Sequence, residues 1–436
     1  MSLEVMARNR AVPGKPKVFY GWWMVAAATI LNFIAGGTFV YGFTLFFNPI
    51  RNTFGWGAAV TAVAFTLQRF ESGLLEALAG FLVDRVGPRR LMLFGWTAVG
   101  SGFLLMSRVD SLWAFYGSFL LMATGLSFAT FIVVFTTLAN WFEKKRSRAM
   151  TVVVTGFGAS GLLVPLVAMA ADHLGWRETL ALVGIGLLVI GLPLSSLMRH
   201  KPGQYGYLPD GASPGSPDGA ATGALPATAG AESGLPSSVP SFAPRAALKT
   251  RSFWLLASVG FFQFIGASAV MVHIVPYLES VGIPTTLAAT TVTGITICSL
   301  IGRLGFGFLG DFANKRYLIA IGIALQSVGV LVLSFIDESR TWVIIPFLLT
   351  YAPGFGATMP LRPAIQADYF GPASYGTIMG LMMLASMPGG LASPVLAGWI
   401  FDATGSYQIA WQWFALITVP AVPLILLARP PAARQA

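Results

Sequence analysis

The stretch that decides the fold is ITICSLIGRLGFGFLGDFANKR, residues 295–316. Its first part is apolar and rich in glycine, as expected of a helix in lipid, and yet it contains Arg303. It ends in Asp311 and the basic pair Lys315 and Arg316, and basic residues of this kind belong at a membrane surface. The stretch therefore predicts a membrane helix that carries one energetically costly charge in its interior.

The composition of the whole chain agrees with a membrane protein. Of its 436 residues, 55% are hydrophobic and 10% are charged, whereas soluble domains have about 25% charged residues. The one cysteine, Cys298, excludes an intrachain disulfide, and three scattered histidines indicate no metal cluster, so we expect no cofactor. The net charge of +10 is distributed over short loops, which argues against nucleic-acid binding.

Twelve apolar segments are long enough to cross a bilayer, which takes about 20 residues in a helix. Because backbone groups in lipid must be satisfied within each segment, we expect helices. Lysine and arginine are concentrated in alternate loops, which predicts that both termini are cytoplasmic. The membrane is expected to be a bacterial-type inner (plasma) membrane. The predicted helices, numbered 1 to 12, span 20–48, 57–83, 89–107, 112–141, 147–171, 177–198, 252–279, 285–310, 315–336, 341–366, 374–401 and 407–428.

The composition changes between predicted helices 6 and 7. Residues 203–245 are rich in Gly, Pro, Ala and Ser, which is typical of a flexible linker, and a short basic surface helix is expected just before predicted helix 7. The linker separates two halves of six helices each. The expected parts are a cytoplasmic tail 1–19, a first bundle 20–198, a cytoplasmic linker 199–251, a second bundle 252–428 and a cytoplasmic tail 429–436.

A short motif occurs once in each half. GFLVDRVGPRR, residues 80–90, follows predicted helix 2, and GFLGDFANKR, residues 307–316, follows predicted helix 8. Both have the spacing Gly-x-x-x-Asp and a basic pair at the end. An aspartate there can accept hydrogen bonds from the amides of a helix end and can pair with arginine. Such a repeat at a half-chain offset indicates an internally duplicated transporter.

The chain resembles the major facilitator superfamily over essentially its whole length. The resemblance implies an all-α membrane fold of twelve helices in two pseudo-symmetric six-helix bundles. In that superfamily the repeated loop locks an inner gate, so a gating role is implied for Asp84, Arg85, Arg89 and Asp311; a plain positive-inside loop is the alternative. The residues that carry the resemblance are Gly80, Asp84, Arg85, Gly87, Arg89 and Arg90.

Further stretches resemble the monocarboxylate transporters and the oxalate/formate antiporter. Both groups have an arginine in helix 8, where Arg303 lies. Ser299 stands where the mammalian-type transporters have an aspartate, and Ser386 stands about where the oxalate carrier has a lysine; one cation suits a monoanion better than a dianion. The stretches are FYGWWMV (19–25), WFEKKRSRAMTVVVTGFGASG (141–161), HIVPYLESVGI (273–283) and DYFGPASYGTIMG (368–380).

Arg303 is the leading candidate for anion binding. It lies eight residues before Asp311, which is about 12 Å along a helix and near the bilayer midplane. An ionised side chain there costs about 2.5–3.5 kcal/mol on insertion scales, so it needs a wet cavity and a partner. Guanidinium offers two parallel N–H donors that match a carboxylate. We expect a small carboxylate anion as that partner; a structural ion pair with an acidic neighbour is the alternative.

Alignment of the two motifs places Glu76 opposite Arg303. If the pseudo-twofold symmetry holds, both residues face one cavity, and Glu76 is a candidate for carrying a coupled proton. Glu76 can instead pair with Arg69, two turns earlier, in a network with Glu71 and Gln68. Glu71 is a second candidate for proton coupling. His273 is a third, although its ring can equally bond a carbonyl near the outer end of predicted helix 7.

Four uncharged residues are candidates for lining the substrate cavity. Asn32 and Gln263 lie near mid-depth in predicted helices 1 and 7, where a lone amide is as often a tie between helices. Tyr351 and Phe355 can form walls around an apolar part of the substrate or can be ordinary packing. A fifth candidate, Phe131, lies about where bacterial relatives often have a tyrosine. Phenylalanine lacks the hydroxyl group that would make the hydrogen bond of that tyrosine.

Arg362 is flanked by two prolines toward the inner end of predicted helix 10. We expect it to be an ion-pair partner in the inner gate, with Asp368 or Asp84.

The leading function is proton-coupled symport of a small monocarboxylate, such as lactate or pyruvate, by alternating access. The alternative is anion exchange of the oxalate/formate kind. The sequence has no visible nucleophile–base pair, metal cluster or phosphate loop, so we do not expect an enzyme. The expected partners are a small carboxylate, the proton and the lipid bilayer, and the carrier is expected to work as a monomer.

Overall fold

The structure is a computed structural model that describes residues 18–56, 58–212 and 242–431. Within these ranges the chain forms helices and no strands. The two predicted tails lie largely outside the described residues, as do residues 213–241 of the linker. The side chain of Arg69 also lies outside them, so its expected pairing with Glu76 stays a prediction.

Twelve long helices occupy the predicted positions. Eleven of them are apolar and long enough to cross a membrane, and the twelfth, α2, carries Arg69, Glu71 and Glu76 in its middle third. The chain is therefore a multi-pass membrane protein. The helices are α1 Tyr20–Phe54, α2 Ala58–Val86, α3 Pro88–Ser107, α4 Leu112–Trp141, α5 Arg146–Leu174, α6 Trp176–Ser196, α7 Arg251–Ser280, α8 Thr285–Leu309, α9 Lys315–Leu333, α10 Glu338–Phe370, α11 Tyr375–Thr404 and α12 Gln408–Leu427.

Two of these helices are interrupted where they touch at mid-depth. In α1, a π-helical turn Gly36–Val40 follows the first helical part. In α5, a 3-10 turn Ser160–Leu163 separates two helical parts. A Cβ atom on Gly37 would lie 2.7 Å from the carbonyl oxygen of Ser160, so the two backbones meet without room for a side chain. Such local departures from α-geometry are frequent at functional sites.

The two halves meet along α2 with α11 and along α5 with α8. A Cβ atom on Gly80 would lie 2.0 Å from the carbonyl oxygen of Gly376 in α11. A Cβ atom on Gly307 would lie 1.8 Å from the hydroxyl oxygen of Thr151 in α5. The glycine of each repeated motif is therefore needed for close contact between the halves, and the contacts are related by the pseudo-twofold symmetry.

The start of the linker differs from the prediction. Residues up to 212 are folded against the first half, with 3-10 turns at Pro202–Tyr205 and Pro209–Gly211. The Gly- and Pro-rich composition suggested flexibility, but aromatic side chains in this segment pack on α1 and α4. The expected short helix before α7 is present at Pro244–Leu248.

Candidate functional site

Asp84 joins the two halves at the end of the molecule that the basic loops predict to be cytoplasmic, here called the inner end. Its carboxylate accepts hydrogen bonds from the amides of Gly376 at 3.1 Å and Thr377 at 2.8 Å, and from the Thr377 hydroxyl at 2.7 Å. First-turn amides have no partner within their own helix, and the positive helix end favours a carboxylate. Asp84 therefore caps α11 of the other half.

Asp311 makes the symmetry-related contact. It accepts from the amide of Ser147, at the start of α5, at 2.9 Å and from Nε of Arg148 at 2.5 Å. The Asp311 side chain is 2% exposed. The duplicated sequence motif thus forms a duplicated contact, in which an aspartate of one half caps a helix of the other.

A third contact between the halves was missed by the sequence reasoning. Arg146, 2% exposed, pairs with Asp368, which also binds Lys315 at 2.7 Å. Arg146 further donates to the carbonyls of Phe142 at 3.0 Å and Ala139 at 3.2 Å. In the sequence, Arg146 appears only as one of several basic residues in a loop, and its partner lies more than 200 residues away.

Three arginines were expected to act in the inner gate, and their expected roles need correction. Arg85 and Arg89 are exposed, and Arg85 lies over the ring of Phe81, with 4.0 Å between its Cζ and the ring centroid. Asp84 therefore pairs with helix amides, and neither arginine bridges the halves among the described contacts. Among the described contacts, Arg362 pairs with neither Asp368 nor Asp84, because its guanidinium lies against Gln263 and Phe264 instead.

Arg303 lies at mid-depth and points from α8 toward α5 of the other half. It is 5% exposed, and its Nη1 donates to the carbonyl of Val154 at 3.1 Å. A Cβ atom on Gly158 would lie 2.0 Å from Nη1, so the guanidinium occupies the space that a side chain at this position would take. Nε of Arg303 has no hydrogen-bond partner among the described residues. The guanidinium is thus buried with one neutral acceptor and with no described ion pair.

One aromatic side chain near the Arg303 guanidinium belongs to a chain of three ring contacts. Tyr41 is near enough to act on it electrostatically. The Tyr41 ring centroid lies 6.2 Å from that of Phe157, which lies 4.9 Å from that of Phe131. Phe131 is therefore linked to Tyr41 through Phe157, and its expected role in substrate binding stays a prediction. Tyr41 was missed, since nothing in its sequence context marks the break in α1.

Glu76 lines a cavity of about 440 Å³ between the halves. Arg303 does not line this cavity, so the expectation that both residues face one cavity is wrong for this structure. Gln68 donates to the hydroxyl of Ser72 at 3.0 Å, and with Glu76 they form a polar face on α2. The remaining wall is mostly apolar and includes Phe39, Val40, Phe264, Met383, Met387 and Leu391.

The other two candidates for proton coupling lie outside this cavity. Glu71 accepts a hydrogen bond from the Thr124 hydroxyl in α4, and its Oε2 is buried with no partner among the described residues. His273 Nε2 lies 2.9 Å from the carbonyl of Pro394, and Nδ1 lies 3.2 Å from the Tyr407 hydroxyl. Since a carbonyl only accepts, Nε2 carries the proton and the ring ties α7 to α11.

Gln263 connects helices within the second half. It donates to the hydroxyl of Thr358 and, at 3.3 Å, to Oε1 of Gln326. Its own Oε1 accepts from Nη1 of Arg362 at 3.4 Å. The Cζ of Arg362 lies 5.0 Å from the ring centroid of Phe264, which lines the cavity. Gln263 was expected either to line the substrate cavity or to tie helices together, and its contacts favour the tie. The contact with Phe264 places Arg362 beside the cavity.

The remaining candidates are buried in helix contacts. Asn32 donates to the carbonyl of Ala28, one turn back in α1, at 2.9 Å, and its Oδ1 has no described partner. Tyr351 and Phe355 stack with their ring centroids 6.0 Å apart, and the Tyr351 hydroxyl lies 3.5 Å from the carbonyl of Ala267. These contacts favour ordinary packing within the second half.

Comparisons with known proteins agree with this architecture. The chain is 25% identical over 401 residues to monocarboxylate transporter 12 of Mus musculus, covering 90% of this chain and 82% of the relative. It is 25% identical over 392 residues to the oxalate:formate antiporter of Oxalobacter formigenes, covering 87% and 86%. The structure of the proton:xylose symporter XylE bound to 6-bromo-6-deoxy-D-glucose matches with a TM-score of 0.71 at 13% identity, over 94% of this chain and 96% of the other.

The family profile described as Major Facilitator Superfamily matches residues 25–394 and 256–436. This covers most of the chain, including both repeated motifs and all the site residues described above. The structure has the fold of this superfamily, in which two bundles of six helices contact each other, here through α2, α5, α8 and α11. The chain is a transporter that belongs to the Major Facilitator Superfamily.

Proposed function

We propose that the chain is a proton-coupled symporter of a small monocarboxylate that works by alternating access. It resides in a bacterial-type plasma membrane with both termini in the cytoplasm, acts as a monomer and catalyses no chemical reaction. The observation that carries the proposal is Arg303, whose buried guanidinium has a carbonyl as its described acceptor and an unpartnered Nε.

A carboxylate is a better acceptor for this guanidinium than the Val154 carbonyl is. It brings a full negative charge and two oxygens that match two parallel N–H donors. A bound carboxylate would compete with the link between α8 and α5, because Val154 belongs to the other half. Anion binding would thereby change a contact that holds the halves together, which is the coupling that alternating access requires.

Glu76 is the proposed proton carrier. Its carboxyl lies in a cavity with a mostly apolar wall, where the neutral, protonated acid is easier to accommodate than the carboxylate. The relatives named as monocarboxylate transporter and oxalate:formate antiporter support an organic anion as the substrate. Glu71 is the second choice for the proton, because its buried Oε2 lacks a described partner.

The experiment that tests this function is uptake into proteoliposomes. Vesicles without internal substrate should accumulate a labelled monocarboxylate such as lactate or pyruvate when a pH gradient is applied, and accumulation should stop when an ionophore dissipates the gradient. Uptake that is unaffected by the gradient, and that requires substrate on the inside, would refute symport.

A second candidate function is exchange of organic anions of the oxalate/formate kind, in which one of the anions carries two carboxylates. The observation that favours it is Arg362, which lies eight residues before the inner end of α10 at Phe370, while Arg303 lies six residues before the inner end of α8 at Leu309. The two cations are therefore at similar depth, and Arg362 lies beside the cavity wall. Counterflow with a dicarboxylate inside and no pH gradient separates exchange from symport.

A further inference from the structure

The folded start of the linker is attached to the loop that leads into the inner gate. Asp210 accepts hydrogen bonds from three successive amides, those of Glu143 at 2.9 Å, Lys144 at 2.7 Å and Lys145 at 3.2 Å. This loop connects α4 to α5, and α5 begins with the gate residue Arg146. One carboxylate thus fixes the backbone immediately before the gate.

The backbone at Asp210 has a left-handed conformation, which is uncommon for residues other than glycine. Asp210 is the one non-glycine residue with positive φ in the described chain, at 57°, and Gly211 follows with φ of 73°. Left-handed geometry costs free energy for residues other than glycine and persists where the surroundings enforce it. Gly211 is held against Phe19, since an added Cβ would lie 2.9 Å from the Phe19 ring. The turn therefore aims the Asp210 carboxylate at the three amides.

Aromatic contacts fix the rest of this segment on α1 and α4. The ring centroid of Tyr207 lies 6.4 Å from that of Tyr20 and 5.7 Å from that of Trp141. The Cζ of Arg199 lies 3.8 Å from the ring centroid of Tyr20, and the Trp141 indole donates to the Arg199 carbonyl at 3.0 Å. The segment thus has several attachments to the first half besides those of Asp210.

The other described end of the linker is attached beside the partner of Arg146. The amide of Phe242 donates to the carbonyl of Phe370 at 3.0 Å, and the two rings pack with centroids 5.9 Å apart. Phe370 lies two residues after Asp368, the gate partner of Arg146. Both described ends of the linker therefore dock next to the two members of one ion pair, each on its own half.

We propose that Asp210 is a positioning residue of the inner gate. By ordering the 143–145 backbone, it presents Arg146 and Ser147 to Asp368 and Asp311 and raises the fraction of molecules with the inner end closed. Without Asp210, this backbone must be ordered each time the gate closes, at a cost in conformational entropy. The inference rests on the proposed alternating access but on no particular substrate.

The test measures access from the inner side to a buried cysteine. Cys298 is replaced by Ser, and Thr151→Cys places a thiol in α5 that is buried against α8 when the inner end is closed. Labelling by a membrane-impermeant maleimide in inside-out vesicles should be about fivefold faster or more in Asp210→Ala, which corresponds to a modest shift in the equilibrium. Asp210→Asn, which keeps tolerance for left-handed backbone but loses the charge, should be intermediate.

Two controls make the test decisive. Asp172→Ala removes an exposed carboxylate at the outer end of α5 and should leave labelling unchanged. Hydrogen exchange at the amides of 143–145 should accelerate in Asp210→Ala. Unchanged exchange would show that Asp210 does not hold the loop, and faster exchange with unchanged labelling would show that the loop does not govern the gate; either result overturns the proposal.

The same vesicles separate this proposal from the proposed function. Labelling needs no substrate, so failure to transport monocarboxylates would leave the result for Asp210 standing. Asp84→Asn serves as the reference for a weakened gate. If it speeds labelling and Asp210→Ala does not, the positioning role is wrong while the gate remains; if neither does, the gate itself is wrong and the proposal falls with it.

Discussion

At the inner end, Asp84, Asp311 and Asp368 each have several hydrogen-bond or ion-pair partners, and each carboxylate has at least one partner in the other half. At mid-depth, Arg303 has one described carbonyl acceptor, and the described contacts of Arg362 are one long hydrogen bond and an aromatic ring. Charges that are satisfied by the protein hold one conformation. Buried charges that are poorly satisfied are available for a ligand, and this difference separates the gate from the candidate binding site.

The largest expected effect is at Arg303. Arg303→Lys keeps the positive charge but loses the two-pronged donor geometry. Carboxylate uptake should therefore fall tenfold or more, which corresponds to the loss of about one charge-assisted hydrogen bond. Uptake into proteoliposomes measures this. The matched control is Arg340→Lys in the exposed first turn of α10, at its outer end, which should transport normally. Near-normal uptake by a well-folded Arg303→Lys protein would remove Arg303 from the binding site.

The next effect separates proton coupling from binding. Glu76→Gln fixes a neutral, protonated-like side chain, so uptake driven by a pH gradient should be abolished because the empty carrier cannot release a proton to reset. Exchange of substrate for substrate should persist, since that cycle uses only the loaded form. The two modes are measured in the same proteoliposomes.

Glu338→Gln, an exposed change near the outer end of α10, is the control for Glu76→Gln. Intact gradient-driven uptake in Glu76→Gln would contradict its coupling role and leave Glu71 and His273 as the residues to examine. Equal loss of both transport modes would indicate that Glu76 is structural.

A smaller effect is expected at the gate. Asp84→Asn replaces charge-assisted contacts to α11 by neutral ones. If the closed inner gate loses about 1 kcal/mol of stabilisation, the ratio of inward-open to inward-closed protein rises about fivefold. Labelling of Thr151→Cys from the inner side should rise accordingly. Asp311→Asn should act in the same direction, since the two contacts are symmetry-related. A faster labelling rate in one variant but not in the other would show that the two symmetry-related contacts do not contribute equally to the gate.

The smallest effect is expected at His273. Its two ring nitrogens are engaged by Pro394 and Tyr407 near the outer end of α7. His273→Gln should therefore change uptake by less than about twofold and leave its pH profile unchanged, with some loss of thermal stability from the broken tie. A shifted pH profile would instead make His273 part of the proton pathway.

The sequence predicted those features that local pattern determines. Apolar length placed the twelve helices, and the repeated Gly-x-x-x-Asp motif indicated Asp84 and Asp311 as carboxylates for helix-end amides. In each motif the glycine permits close approach and the aspartate caps the facing helix. Both facts follow from residue chemistry at fixed spacing, and so they are visible in one sequence.

Features that depend on distant contacts were not predictable. Arg146 finds Asp368 across the interface between the halves, and Arg362 turns toward Gln263 and Phe264 rather than toward an acid. The composition of the linker concealed the order imposed on Asp210 by the amides of 143–145. Pseudo-symmetry correctly related the aspartates but failed for Glu76 and Arg303, because side-chain directions within a cavity need not follow the repeat.

The measurement that tests the central claim most directly is thermal stabilisation of the purified carrier by small carboxylic acids. A ligand that binds the folded state raises the unfolding temperature by mass action. We predict that at least one small carboxylate stabilises the wild-type protein and the Arg340→Lys control, and that Arg303→Lys loses this stabilisation while unfolding at a similar temperature without ligand. Equal stabilisation of all three proteins would contradict Arg303 as the anion anchor.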